Sequence, residues 1–179
     1  MKRVISSGSL VLVLFLSSYG SAQLLPEAGS QLERSLLALT ELESEFGNNS
    51  ARLVPALIEM ADLYRGEGRF ADAYRVLDRA TQVVRVSEGL YTRSQIPLVR
   101  MKVENYADWS DWGSAREQLE HLFWLHRMKS DRVDGSLIAD LMALSELHLR
   151  GISEDIYEFQ TFHFRRAAEV NWLALGAAE

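Results

Sequence analysis

Displaced by 42 residues, the sequence falls back on itself without a gap. Gly47 meets Gly89, Pro55 meets Pro97, Tyr64 meets Tyr106, Phe70 meets Trp112, Ala73 meets Ala115 and Leu77 meets Leu119. A third copy continues the register through Val54, Ile96 and Ile138, through Leu57, Val99 and Leu141, and through Tyr64, Tyr106 and His148. Ser50, Thr92 and Asp134 also coincide, and each has a side-chain oxygen able to cap the first turn of a helix. Repetition at a period of about 20 to 50 residues restricts a chain to architectures in which each unit buries its apolar face on its neighbours.

Within one unit the apolar spacing is helical twice over. Leu57, Met60, Ala61 and Tyr64 are three and four apart, and so are Phe70, Ala73, Leu77 and Ala80. Between them Gly66 to Arg69, GEGR, supplies glycines where the chain must leave one helix and reverse, which predicts an αα-hairpin. Small Ala61 and Ala73 alternate with large Tyr64 and Leu77, as interlocking helix ridges require. Pro55 and Pro97, soon after the proposed caps, predict a local kink rather than a break. The predicted fold is all-α: a short right-handed α-solenoid of stacked antiparallel hairpins, with about seven helices and no strands. Its expected divisions are a leader at 1–22, a linker at 23–27, a capping helix at 28–47, units at 48–89 and 90–131, and a degenerate third unit with a C-terminal capping helix at 132–179. Leu32, Leu36, Leu39 and Leu42 mark the first cap, and Ile156, Phe159, His163, Ala167 and Val170 the last.

Over residues 48 to 150 the chain resembles the tetratricopeptide repeat family, in the 42-residue variety found in kinesin light chains and many bacterial repeat proteins. The first unit carries the likeness best, through Leu57, Met60, Ala61, Tyr64, Gly68, Phe70, Ala73, Leu77 and Ala80. In the second, Lys102 and Val103 depart from the apolar and small pair and Leu122 replaces an alanine. After Gly151 the register is lost. The resemblance implies a protein–protein interaction module or scaffold whose first helices line a concave groove for a peptide or partner segment.

Leu57, Ala61 and Tyr64 are expected in the core, so Ile58, Asp62 and Arg65 fall on the groove side. Advancing by 42 turns Asp62 into Glu104 and then Glu146, a row of carboxylates flanked by Arg65, Arg100 and Met101. Those seven residues form the expected partner site, suited to a basic or amide-rich segment; the competing reading is a plain solvated helix face. An acidic C-terminus is disfavoured, because acids occupy the face where one tetratricopeptide subclass presents Lys and Asn.

Met1-Lys2-Arg3, the apolar run Leu10 to Leu16 and the small residues Gly20 to Ala22 have the layout of a secretory leader, so an exported, periplasmic or secreted protein is expected. Its run of seven apolar residues is far short of the roughly 20 that span a bilayer. Processing would leave an acidic chain with no membrane span. The formal charge of −6 argues against nucleic acid as a partner, and the absence of cysteine excludes disulfides, thiolate metal sites and cysteine nucleophiles. No cofactor or metal site is predicted: His121 and His126 are five apart, too far around a helix to chelate together, and no HExxH occurs. His148 and His163 are expected as packed histidines. Trp112 takes Phe70's packing slot, while Trp109 is expected at the surface. The alternatives to a binding module are a helical hydrolase, for which Trp109, Glu104 and Glu120 are the first suspects, and a self-associating structural subunit.

Overall fold

The computed structural model describes residues 24–128, 135–155 and 159–178. The expected leader and the Asp134 cap lie outside them. Seven α-helices and one 3₁₀ turn occur among the described residues, with no strand: α1 Leu24–Phe46, the turn Ala51–Leu53, α2 Val54–Gly66, α3 Phe70–Glu88, α4 Gln95–Asp108, α5 Trp112–Met128, α6 Gly135–Glu154 and α7 Gln160–Ala178. The pairs α2/α3, α4/α5 and α6/α7 are antiparallel hairpins stacked into a solenoid, with α1 packed on the first of them. Ion pairs Glu43–Arg79 and Glu120–Arg166 link α1 to α3 and α5 to α7, while Arg65–Asp108 and Asp108–Arg150 link α2, α4 and α6. The helices therefore form two layers, odd-numbered and even-numbered.

The 42-residue period is written into the backbone hydrogen bonds. At the end of α2, Arg69 N donates to Tyr64 O at 2.8 Å and Gly68 N to Arg65 O at 2.9 Å. At the end of α4, Asp111 N donates to Tyr106 O at 2.9 Å and Ser110 N to Ala107 O at 2.9 Å. These paired bonds complete a Schellman turn, whose extra residue must adopt positive φ. Gly68 supplies it at +71° and Ser110 at +60°. Gly47 and Gly89 likewise terminate α1 and α3 with positive φ, each donating to the carbonyl four residues back. The helix α1 thus ends as a second helix of a unit ends, in keeping with a half-unit cap.

The core lies both within hairpins and between them. One cluster joins Leu32 and Leu39 of α1 with Leu53, Leu57, Met60, Ala80, Val83, Val84 and Leu98; the other joins Val99 and Val103 of α4 with Leu119, Leu122, Leu125, Leu141, Leu144 and Val170. Ala61, Ala73 and Ala115 are wholly buried, as the small positions of the repeat require.

Several local expectations need correction. The helix α1 starts at Leu24, inside the stretch read as a linker; Pro26 falls in its first turn, where no backbone donor is needed. Ser50 Oγ accepts from Arg52 N at 3.4 Å, but it opens the 3₁₀ turn and α2 follows only at Val54. Thr92 does not cap α4. That helix begins at Gln95, and the Thr92 hydroxyl is buried without a hydrogen-bond partner while its carbonyl accepts from Gln95 N. Pro55 and Pro97 sit in the first turns of α2 and α4, so neither removes an intrahelical bond; in place of a kink, unit 1 has the 3₁₀ turn ahead of Pro55.

The third unit departs where the repeat would place another reversal. Ile152 stands at the position of Gly68 and Ser110, and a β-branched residue resists positive φ. Accordingly α6 continues to Glu154, and α7 starts six residues later than the period dictates. The longer α6 lets Gly151 pass directly beneath the His163 ring: a Cβ there would lie 2.6 Å from His163 Cε1. In an ordinary helix interior Gly→Ala stabilises by about 1 kcal/mol. Here we predict the opposite sign, Gly151→Ala lowering stability by about 1–3 kcal/mol through overpacking. Gly113→Ala, whose nearest neighbour would be Asp111 Oδ1 at 3.5 Å, is the control. Urea midpoints of the two variants, measured side by side, check this.

Candidate functional site

The even-numbered layer presents the expected site. Because α2, α4 and α6 repeat at 42, Asp62, Glu104 and Glu146 occupy equivalent positions on successive helices, and Ile58, Arg100 and Met142 occupy the positions one turn before them. Asp62, Arg100 and Glu146 are exposed and Glu104 is half-buried. Ile58 is drawn inward, packing against the first core cluster, and Met101 is half-buried.

The acids do not stand as an open row. The Arg65 side chain, largely buried, runs beneath them, with Nη1 at 3.6 Å from both Asp62 and Glu104; Arg100 Nε lies 3.7 Å from Glu104. Glu146 makes no ion pair among the described residues. Two exposed apolar side chains, Met142 and Leu149, flank it on α6 at spacings of four and three.

A second set of charges ties the layer together. Asp108, at the end of α4, accepts from Arg65 Nη2 at 2.7 Å and from Arg150 Nη2 at 3.0 Å, while Arg150 Nε also donates to Glu154 at 2.8 Å. Partial burial opposes ionisation of Asp108, but the hydrogen bonds from Arg65 and Arg150 outweigh it and hold its carboxyl below its usual value of 3.8. Neither Asp108 nor Arg150 is visible as a site residue in the sequence. They are 42 apart and of opposite charge, so the repeat that reveals equivalent positions conceals a contact between them.

The remaining candidates resolve into packing. Trp112 is buried and meets the His163 ring edge-on at 5.4 Å. Trp109 is 47% exposed and lies between Phe70 and Tyr106, parallel to the latter within 3°. Lys102, standing where unit 1 has Met60, is buried and reaches Asp78 Oδ1 at 2.9 Å; burial lowers its pKa, with Asp78 opposing. On the odd layer a cleft of about 470 Å³ is lined by Glu120, Phe123, Trp124, Arg127, Met128 and Arg166. Glu120 is its carboxylate, and Arg166 binds both of that group's oxygens, at 2.7 and 2.6 Å. Glu104 belongs to the even layer, so the suspected acids do not face each other across one cleft.

The histidines at 148 and 163, fifteen residues apart, come together at the hairpin of α6 and α7. Their Nδ1 atoms are 3.2 Å apart, and both side chains are fully buried among Phe162 and Trp112. One Nδ1–H donates to the other ring. Asp155 approaches the opposite nitrogen of His163 at 3.8 Å. Burial, with the His163 and Arg166 charges adding, pushes the His148 pKa down to about 3; burial also lowers that of His163.

Compared with known proteins, the chain matches no protein-family model and no curated protein at a significant level of similarity.

Two pH effects follow. Asp108 has a depressed folded-state pKa, so its contribution is complete well above 3.8 and is lost as pH falls through the lower folded value. Asp108→Asn is therefore expected to cost about 1 kcal/mol near neutrality, with the gap from wild type closing as pH drops below about 4. His148 also has a depressed pKa, so the unfolded chain takes up the extra proton between its usual value of 6.5 and about 3. Wild-type stability should fall across that window at up to about 1.4 kcal/mol per pH unit. His148→Gln should flatten the slope. Denaturant titrations from neutral to acid pH measure both effects.

Proposed function

We propose that the chain is a non-catalytic binding module that takes an extended peptide or a segment of a partner protein across the even-numbered helices. The observation that carries this reading is the recurrence of Asp62, Glu104 and Glu146 on three successive helices that run in the same direction. Such a row presents charge at regular intervals to a ligand lying across it. With Asp108 and Glu154 the charge cluster around this row has five carboxylates against Arg65, Arg100 and Arg150, so it retains an acidic excess after internal pairing. A basic or amide-rich segment suits it. Glu146 is the carboxylate left for a ligand cation, and Met142 and Leu149 beside it offer apolar contact for the aliphatic stem of a Lys or Arg.

This face belongs to a tetratricopeptide-like scaffold in our reading, with the 42-residue period and the matched Schellman turns as support. The leader-like layout of residues 1–22 supports export, so the partner is sought in the cell envelope or outside the cell. Among the described residues no helix is long and apolar enough to cross a membrane. Against catalysis stands the commitment of each suspected acid to arginine, Glu104 to Arg65 and Arg100 and Glu120 to Arg166.

The test is affinity capture from a periplasmic extract, with mass spectrometry, by wild type and by the variant with Asp62, Glu104 and Glu146 all changed to Ala. Capture should weaken by roughly tenfold or more while helical circular dichroism is unchanged, since Asp108 still pairs with Arg65. Equal capture by both proteins would exclude this face as the binding site.

A further inference from the structure

The outer face of α7 is apolar where a solenoid ordinarily ends in polar side chains. Its inner face, His163, Ala167, Val170 and Ala174, is buried. Outward it presents Phe164, 70% exposed, Trp172, 75% exposed, and Leu175, 60% exposed, with Ala168 exposed between the two aromatics. Spacings of four, four and three put 164, 168, 172 and 175 on one stripe.

We propose that this stripe is a homodimer interface, in which α7 of two copies pack antiparallel about a two-fold axis beside Ala168. The pattern is self-complementary. Phe164 and Trp172 lie four residues, about 6 Å of helix, on either side of Ala168. Reversing a second copy about that residue sets Phe164 against the partner's Trp172, and Trp172 against the partner's Phe164. A small residue at the crossing lets the two helices approach, and the flanking rings can meet edge to face. The same operation sets Thr161 opposite the partner's Leu175 and Arg165 opposite the partner's Asn171. Thus Arg165, the charge on this face among the described residues, meets an amide instead of its own like.

The area suffices. Phe and Trp bury about 150–250 Å² each; counted over two copies, with Leu175, the patch covers on the order of the 1,000 Å² that a specific interface requires. A lipid surface suits it less, because membrane-surface helices carry a cation-rich polar face. Of the two arginines on α7, Arg166 is already held by Glu120 and Glu169. The inference stands apart from the even-layer binding face, which lies in the other layer.

Analytical ultracentrifugation of the full chain at about 10–100 μM, the range expected for an interface of modest size, should give twice the chain mass. Trp172→Glu, at a solvent-facing position, should return the monomer with unchanged circular dichroism. The sequence has no cysteine, so Ala168→Cys should give a covalent dimer on mild oxidation, whereas Leu37→Cys, on an exposed part of α1, should not. A monomer at the highest concentration would overturn the proposal, as would a dimer that survives Trp172→Glu and fails to cross-link at 168. A blue shift of Trp fluorescence on adding phosphatidylglycerol vesicles to a monomeric chain would assign the stripe to lipid instead.

Discussion

Burial of each helical hairpin against the next is the interaction on which the remainder of this molecule rests. The helix α4 shows it most directly: Leu98 belongs to the core shared with the first hairpin, while its neighbour Val99 and then Val103 belong to the core shared with the last. Both large clusters draw on more than one hairpin, so stability is shared between adjacent pairs. Polar contacts reinforce the same junctions. Asn105 Nδ2, buried on α4, donates to Phe70 O at 3.0 Å, fastening the second unit to the turn of the first.

Such an arrangement separates two kinds of surface. Side chains on successive even helices recur at one spacing, which suits recognition of something extended, whereas the outer faces of α1 and α7 have no further helix against them among the described residues. The acids at 62, 104 and 146 belong to the first kind and the apolar stripe of α7 to the second. The two surfaces ask for different ligands because one is built by repetition and the other by its interruption.

Much of this organisation was legible in the sequence, because a repeat exposes equivalent positions. The hairpins, the buried Ala61, Ala73 and Ala115, the packed Trp112 and the exposed Trp109 all follow from register and helical spacing. Particular contacts between helices did not follow. Arg65 passing under Glu104 depends on how far a side chain reaches across a helix boundary, and the bridge from Asp108 to Arg150 joins two equivalent positions whose opposite charges the register does not pair. The pairing of His148 with His163 depends on α6 running past the expected reversal. That last feature had a signal, since Ile152 stands where Gly68 and Ser110 take positive φ, but its meaning emerges only beside the two turns it fails to copy. Thr92 coincides with Ser50 and still does not cap, because α4 begins three residues further on.

Lys102 has a consequence beyond its own contact. Its ammonium occupies a core position filled by a thioether in the preceding unit, and it is tolerated because Asp78, on the hairpin before it, accepts its hydrogen bond. The modules are therefore not interchangeable beads: moved to the first place, the second would bury a cation where α1 offers Leu36 at the position of Asp78. Sequence order along this array is enforced by electrostatics as well as by shape.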